Sequence, residues 1–254
     1  MGTVKVNKRG ADRVRHGHLW IYRSDVVEVG AEGGQVVRVT DERGNFIGQA
    51  LFSDASQITL RFLTQTSDEI DREWWRRRIA EAARRRNIPA DTNAYRLIYS
   101  EGDLLPSLIV DRYDDVLVMQ NLSQGTDALK PLLTEILIED FKPRAVIERN
   151  DARVRELEGL PLIAGAIYGN APAEFEILQH GLQFYVEPLG GQKTGSFLDQ
   201  RENRLAARAA AQTTNHARAL DCFTFNGAFA LHLASVCENV IGIDISGDAI
   251  ASAR

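Results

Sequence analysis

Two acids, Asp221 and Asp244, stand where a chain of this pattern can hold a nucleoside. The run Ala217-Arg218-Ala219-Leu220-Asp221 reads as a strand, and Val240–Asp244 reads as a second, buried strand. Between them lie the turn Phe223-Thr224-Phe225-Asn226-Gly227 and a helical stretch to Ser235. Strand, turn, helix, strand is the order of a doubly wound α/β unit, where ligands sit beyond the carboxyl ends of the strands. Gly227 lets the chain turn closely into the helix. Asp244 follows 17 residues later, and its carboxylate suits the two hydroxyls of a ribose because it only accepts hydrogen bonds.

The turn also discriminates between ligands. A dinucleotide lays its pyrophosphate on a helix N-terminus and requires the glycine fingerprint G-x-G-x-x-G. Here one glycine, Gly227, is flanked by Phe225 and Phe229. Aromatic rings and a carboxylate suit a cationic, phosphate-free ligand, and S-adenosylmethionine, a sulfonium joined to an adenosine, is one. This argues against a nicotinamide oxidoreductase. At this point a plain α/β turn without ligand stays open, since one glycine is a weak signal.

The elements that must position this turn come before it. Residues 1–65 read mostly as short strands with tight turns, such as Gln35–Thr40, Phe46–Phe52 and Ile58–Leu63, which predicts a small β-barrel. A helix is predicted from Thr66-Ser67-Asp68-Glu69, which has capping-box form, to Asn87-Ile88-Pro89. Residues 95–187 alternate strands and helices and close on a hairpin about Gln179-His180-Gly181. The predicted domains are therefore a barrel at 1–70, a central α/β domain at 71–187, and the start of a Rossmann-like doubly wound sheet at 188–254.

Composition is that of a globular protein, with 44% hydrophobic and 26% charged residues. Two cysteines, Cys222 and Cys237, suggest neither a disulfide framework nor a zinc ribbon, so no metal site is expected and a reducing cytoplasm is. Both read as small buried residues. No apolar run reaches the length of a membrane span, so no membrane partner is expected. Residues 1–88 carry 16 Lys and Arg against 12 Asp and Glu, whereas residues 89–254 carry 14 against 23. A basic front on an acidic remainder points to an anionic partner met at the N-terminal end. The runs Arg76-Arg77-Arg78 and Arg84-Arg85-Arg86 read better as a solvated helix face than as a nucleic-acid contact.

One segment is specific enough to suggest a family. Gln192-Lys193-Thr194-Gly195-Ser196-Phe197-Leu198-Asp199-Gln200-Arg201-Glu202-Asn203-Arg204 resembles the motif that precedes the Rossmann-like domain in PUA-domain large-subunit rRNA cytosine carbon-5 methyltransferases. Gly10–Trp20, Glu101–Tyr113, and Glu148-Arg149-Asn150-Asp151 with Arg155 and Glu158-Gly159-Leu160 resemble further signatures of that family, in order along the chain. The last two sets also read as a polar turn and a salt-bridged connector. The resemblance implies that Phe197, Gln200 and Arg201 line an S-adenosylmethionine pocket. It likewise implies that Asp221, Phe223, Asn226, Gly227 and Asp244 form the cofactor turn and ribose site. Ala228 stands where many relatives have a second glycine. The PUA resemblance implies ribosomal RNA as partner, contacted by residues among Lys8, Arg9, Arg13, Arg15, His18 and Arg23, with Trp20 available to stack on a base.

In that family a cysteine thiolate adds to carbon 6 of the pyrimidine, because carbon 5 alone is not nucleophilic. The resemblance places that cysteine downstream of Arg254. It therefore implies a C-terminally truncated chain with no catalytic residue of its own, inactive alone. A guanine-N2 rRNA methyltransferase and a non-catalytic RNA-binding module are the competing functions, and a homodimer is left open.

Overall fold

Short valine-rich runs between tight turns make the first strands, as their β-branched side chains favour. In the computed structural model, which describes residues 1–190, 194–214 and 218–253, these are β1 (Gly2–Val6), β2 (Trp20–Tyr22), β3 (Val26–Gly30), β4 (Val36–Asp41), β5 (Phe46–Phe52) and β6 (Ile58–Thr64). They form one sheet in the order β2-β6-β5-β4-β1-β3, with β1 parallel to β4. Register shifts at Lys5/Val6, Ile21/Tyr22, Val39/Thr40 and Gln49/Ala50 bend it. Val4, Val6, Ile21, Val37, Val39, Phe52, Leu60 and Phe62 pack inside. A helix, α1 (Lys8–Arg15), interrupts the strands that the sequence reading expects there. Asn7 caps it by accepting the Gly10 N–H at 2.9 Å, and Ala11 and Val14 enter the core. Eight residues are too few for the helical period to stand out in the sequence.

The next helix, α2 (Arg72–Arg84), starts later than the Thr66–Glu69 pattern suggests. Asp71 is its cap, accepting the Trp74 N–H at 2.8 Å, while Thr66 bonds to Thr64 and Asp68 in a turn. A second sheet follows, built from β7 (Ala94–Tyr99), β8 (Leu108–Tyr113), β9 (Val116–Asn121), β10 (Ala145–Asn150) and β11 (Ile163–Gly169). Its order is β11-β10-β9-β8-β7, with β9 and β10 parallel. Two helices, α3 (Gln124–Ala128) and α4 (Lys130–Phe141), make the crossover between those parallel strands. Arg72 and Arg76 of α2 pair with Glu135, Glu139 and Asp140 of α4, so part of the arginine-rich face is a helix–helix contact.

The remaining elements are β12 (Phe175–Gln179), β13 (Leu182–Val186), α5 (Arg201–Thr214), β14 (Arg218–Cys222), α6 (Ala228–Ala234), β15 (Asn239–Ile243) and α7 (Gly247–Ser252). The hairpin β12–β13 turns at His180 and Gly181, both with positive φ. Strands β14 and β15 are parallel, with α6 between them in sequence. The molecule divides into two compact units, Met1–Asn87 with Arg96–Ala171, and Ile88–Tyr95 with Pro172–Arg254. The first two sheets thus share a unit, and the hairpin groups with the C-terminal elements rather than with the central region.

Strand β15 is not the buried strand read from its sequence: Ile241 is 62% exposed and Ile243 51%. Cys222 is also exposed, not buried, while Cys237 is buried. Among the described residues this sheet has two strands, and only part of its surface is covered. No described helix is long and apolar enough to cross a membrane.

Candidate cofactor site

Leaving β14, the chain passes through Phe223, Phe225 and Gly227 with φ of 64°, 51° and 78°. Left-handed backbone costs a bulky residue about 1–3 kcal/mol, and it persists only where surroundings over-determine it. Two carboxylates do so here. Asp221 Oδ2 accepts the Thr224 hydroxyl at 2.5 Å and the Ala230 N–H at 3.0 Å. Asp244 Oδ2 accepts the Phe225 N–H and its Oδ1 the Ser246 N–H, each at 2.9 Å. The turn packs close to β15: a Cβ on Gly242 would lie 2.9 Å from Thr224 Oγ1, which explains the glycine.

The N–H groups of Ser246 and Phe225 hold the Asp244 carboxyl below the usual carboxylate range, so it is ionised at neutral pH. It is partly exposed and keeps free lone pairs for further donors. Beside the turn is a cavity of about 240 Å³. Phe225 and Asn226 line it from the turn, Ser246 and Asp248 from the start of α7, and Glu174, Tyr185 and Glu187 from the hairpin region. Tyr185 donates to Glu176 at 2.9 Å, and that bond pushes its hydroxyl pKa up.

The residues expected from sequence are distributed unevenly around this cavity. Asn226 lines it, and Phe197 meets Phe225 edge-on at 5.3 Å between ring centroids. Gly227 is the residue before α6. Gln200 and Arg201 bond within their own helix turn, to Asn203 at 2.9 Å and Glu202 at 2.8 Å. Asp221 is engaged in holding the turn, and Phe223 is 89% exposed. Gln192, Lys193 and Ala217 lie outside the described residues. Sequence reasoning missed Tyr185, Glu187, Ser246 and Asp248. Nothing in the hairpin's alternation marks which residues face a ligand.

The donor and acceptor chemistry fits S-adenosylmethionine. Three carboxylates, Glu174, Glu187 and Asp248, border the cavity, which favours a cation and opposes a pyrophosphate. Asp244, which holds the Phe225 N–H of the turn, is ionised and carries acceptors only.

The buried face of α6 has a pH consequence. His232 is wholly buried with neither ring nitrogen hydrogen-bonded, beside Arg204, His180 and Arg208. Burial, then those positive neighbours, pull its pKa down from 6.5 to about 4. The unfolded chain therefore takes up this proton at a higher pH than the fold does. Stability is complete above about pH 6.5 and falls as pH drops toward 4, by roughly 2–3 kcal/mol from this group. Urea unfolding at pH 7, 5 and 4 measures it. His232→Leu is expected to flatten the slope, and an unchanged slope would remove His232 as its source.

The α1 region gathers the basic residues. Arg9 and Arg13 both pair with Asp25, which is fully buried, and Arg13 lies 5.2 Å over the Tyr22 ring. Arg15 bonds Asp12 at 2.9 Å, and Arg23 donates to the Asp54 carbonyl. Lys8 and His18 are exposed and border an open hollow with Arg9, Asp12, Arg13 and His16. Trp20 donates its indole N–H to Glu101 at 2.9 Å. The other signature residues form an internal network. Asp103 accepts the Tyr99 N–H at 2.7 Å, Glu148 pairs with Lys130 at 2.8 Å, and Arg155, wholly buried, pairs with Asp127 at 3.0 Å.

Residues 4–65 match the model of a PUA-like domain. The chain is 36% identical, over 99% of its own length, to the ribosomal RNA large subunit methyltransferase I of Tolumonas auensis. It is 38% identical, over 93% of its length, to the enzyme of that name from Yersinia pseudotuberculosis. It spans 65% and 61% of those two proteins. Its fold is similar to that of a Streptococcus mutans protein described as a SAM-dependent methyltransferase, with TM-score 0.82, 19% identity, and coverage of 100% of this chain and 66% of that one. SMU.776, described as a methyltransferase and solved with S-adenosylhomocysteine, gives TM-score 0.83 at 19% identity, covering 100% of this chain and 65% of its own.

Proposed function

We propose that this chain belongs to the S-adenosylmethionine-dependent large-subunit rRNA methyltransferases and contributes their RNA-binding front and part of their cofactor site. The observation that carries this reading is the co-occurrence in one chain of a PUA-like domain and an acid-held aromatic turn, with 36% identity to an rRNA methyltransferase running through 99% of the chain. The target atom is carbon 5 of a cytosine, as the family resemblance implies.

Bound S-adenosylmethionine would supply a methyl group on a sulfonium, which makes that methyl electrophilic. Asp244 would accept the ribose hydroxyls. Phe225 and Asn226 would border the ligand, and Glu187 and Asp248 would favour its positive charge. Asp221 holds the turn in its left-handed form and so sets where Phe225 stands. Transfer of labelled methyl groups from S-adenosylmethionine to large-subunit rRNA, compared between this chain and a longer one that carries the family's catalytic cysteine, tests the reading, with the modified base identified by nuclease digestion; turnover is expected from the longer chain alone. Methylated cytosine supports it. Methyl on guanine N2 would favour the other enzyme, and RNA binding without cofactor binding would leave a binding module.

RNA contact is assigned to the exposed part of the basic set. Arg9 and Arg13 are committed to Asp25, so Arg13→Glu would place like charges together at a buried site and damage the fold. Lys8 and His18 are the better probes. Lys8→Glu is expected to weaken binding to an rRNA fragment several-fold at low salt with an unchanged melting temperature. Wild-type affinity is expected to fall steeply with salt, as counterion release requires. Equal affinity of wild type and Lys8→Glu in a gel-shift titration would move the RNA surface away from α1.

A further inference from the structure

Arg204 lies on α5 and is 4% exposed. Its Nη1 donates to Gln179 Oε1 at 2.5 Å, and its Nη2 donates to the carbonyl of Phe197 at 2.9 Å. Its guanidinium also sits 5.9 Å from the centroid of the Phe229 ring. Gln179 belongs to β12 and is 1% exposed. One side chain thus joins the hairpin, the segment before α5 and the helix after the cofactor turn.

Burying a guanidinium is expensive, and filling its space with an apolar side chain is often neutral or stabilising. Burial lowers the pKa of Arg204, opposed by the charges of Asp199 and Asp221. His232 beside it is held neutral, so the site does not add a second positive charge at neutral pH. Packing alone therefore does not explain an arginine here. Its rigid fork of donors does, because it can fix two segments at once.

The segment it fixes is informative. The ring of Phe197 stands edge-on to Phe225 at 5.3 Å and 84°, and the Phe225 N–H is bound by Asp244. We infer that Arg204 is a positioning residue: by clamping the Phe197 carbonyl it holds the Phe197 ring against Phe225 and so preforms the aromatic edge of the cofactor site. This rests on the reading that the turn holds S-adenosylmethionine. Two aromatic rings set before binding spare the ligand the cost of ordering them.

Arg204→Met and Arg204→Lys, each in the full 254-residue chain, separate positioning from mere support. Three quantities are measured: the melting temperature, the NMR cross-peak between the Phe197 and Phe225 rings without ligand, and chemical-shift titration with S-adenosylhomocysteine into the millimolar range. In Arg204→Met the melting temperature is expected to fall modestly, because Gln179 and the Phe197 carbonyl lose a buried donor, the ring cross-peak to vanish, and affinity to drop by about tenfold or more. Arg204→Lys, with one donor head in place of a fork, should fall between. A cross-peak that survives in Arg204→Met overturns the inference, as does wild-type affinity in both variants. If Arg204→Met does not fold, the cross-peak in Arg204→Lys decides: weakened, it supports positioning, and unchanged, it refutes it. Failure of the wild-type chain to bind S-adenosylhomocysteine would defeat the cofactor reading, while the ring cross-peak would still decide what Arg204 does.

Discussion

Glu158→Ala is expected to destabilise the first unit by about 3–5 kcal/mol, the cost of leaving one charge of a buried pair without its partner. Glu158 and Arg61 have side chains 1% and 7% exposed, and their ion pair measures 2.7 Å. Arg61 stands on β6 of the first sheet, whereas Glu158 ends the short helical turn Arg153–Glu158 after β10 of the second. The other carboxylate oxygen of Glu158 accepts the Gln124 N–H at 3.2 Å, and Gln124 in turn bonds Asp54 at 2.9 Å. The pair is therefore the centre of a polar bridge between the two sheets. Removing Glu158 strands a buried guanidinium and also frees the start of α3. The double variant Arg61→Met/Glu158→Leu should recover much of the loss, since an apolar pair fills the same space without a charge to desolvate. Denaturant unfolding of the single and double variants measures this. A loss below about 1 kcal/mol for Glu158→Ala would mean that the pair behaves as a surface contact.

Glu158 also shows where sequence reading stopped. It was legible as part of a recurring signature, but its partner Arg61 lies 97 residues away, and no local pattern couples the two. The same holds for the basic residues of α1. Their charge pointed outward to an anion, yet Asp25, 12 to 16 residues on, takes up Arg13 and Arg9. Elements with strong local signals were legible: Phe46–Phe52 and Ile58–Leu63 as strands, the hairpin at His180-Gly181, and the strand–helix–strand run around Gly227. The start of α2 was not, because two acid-bearing turns in succession each offered a cap and only Asp71 is placed to bond the first helical N–H groups. At the cofactor turn the acids were legible from their positions after apolar runs, but their division of labour was not. That division depends on which carboxylate reaches the Thr224 hydroxyl and which keeps free lone pairs, a matter of three-dimensional placement.

Asp244→Asn is expected to have the largest effect on ligand binding. The amide retains one acceptor oxygen for a backbone N–H, so the turn is disturbed less than by alanine. It loses the negative charge and the second acceptor that a ribose diol requires, and it brings an amide donor in their place. Sites built to hydrogen-bond a hydroxyl lose strongly when that complement is broken, on the order of 100-fold or more. The loss should be equal for S-adenosylmethionine and S-adenosylhomocysteine, because the ribose is common to both. An analogue without ribose hydroxyls should lose much less affinity in the variant, the residual loss reflecting the turn N–H that the amide no longer accepts. Replacement of Glu187 or Asp248, which border the cavity rather than the ribose acceptor, should instead affect the sulfonium ligand more than the thioether.

The most direct test of the central claim is calorimetric titration of the wild-type chain and Asp244→Asn with S-adenosylmethionine, S-adenosylhomocysteine and a nicotinamide dinucleotide. The account predicts saturable binding of the first two to wild type, no binding of the dinucleotide, and loss of both bound ligands' affinity in Asp244→Asn. Dinucleotide binding, or equal affinity of wild type and Asp244→Asn for S-adenosylhomocysteine, would contradict it.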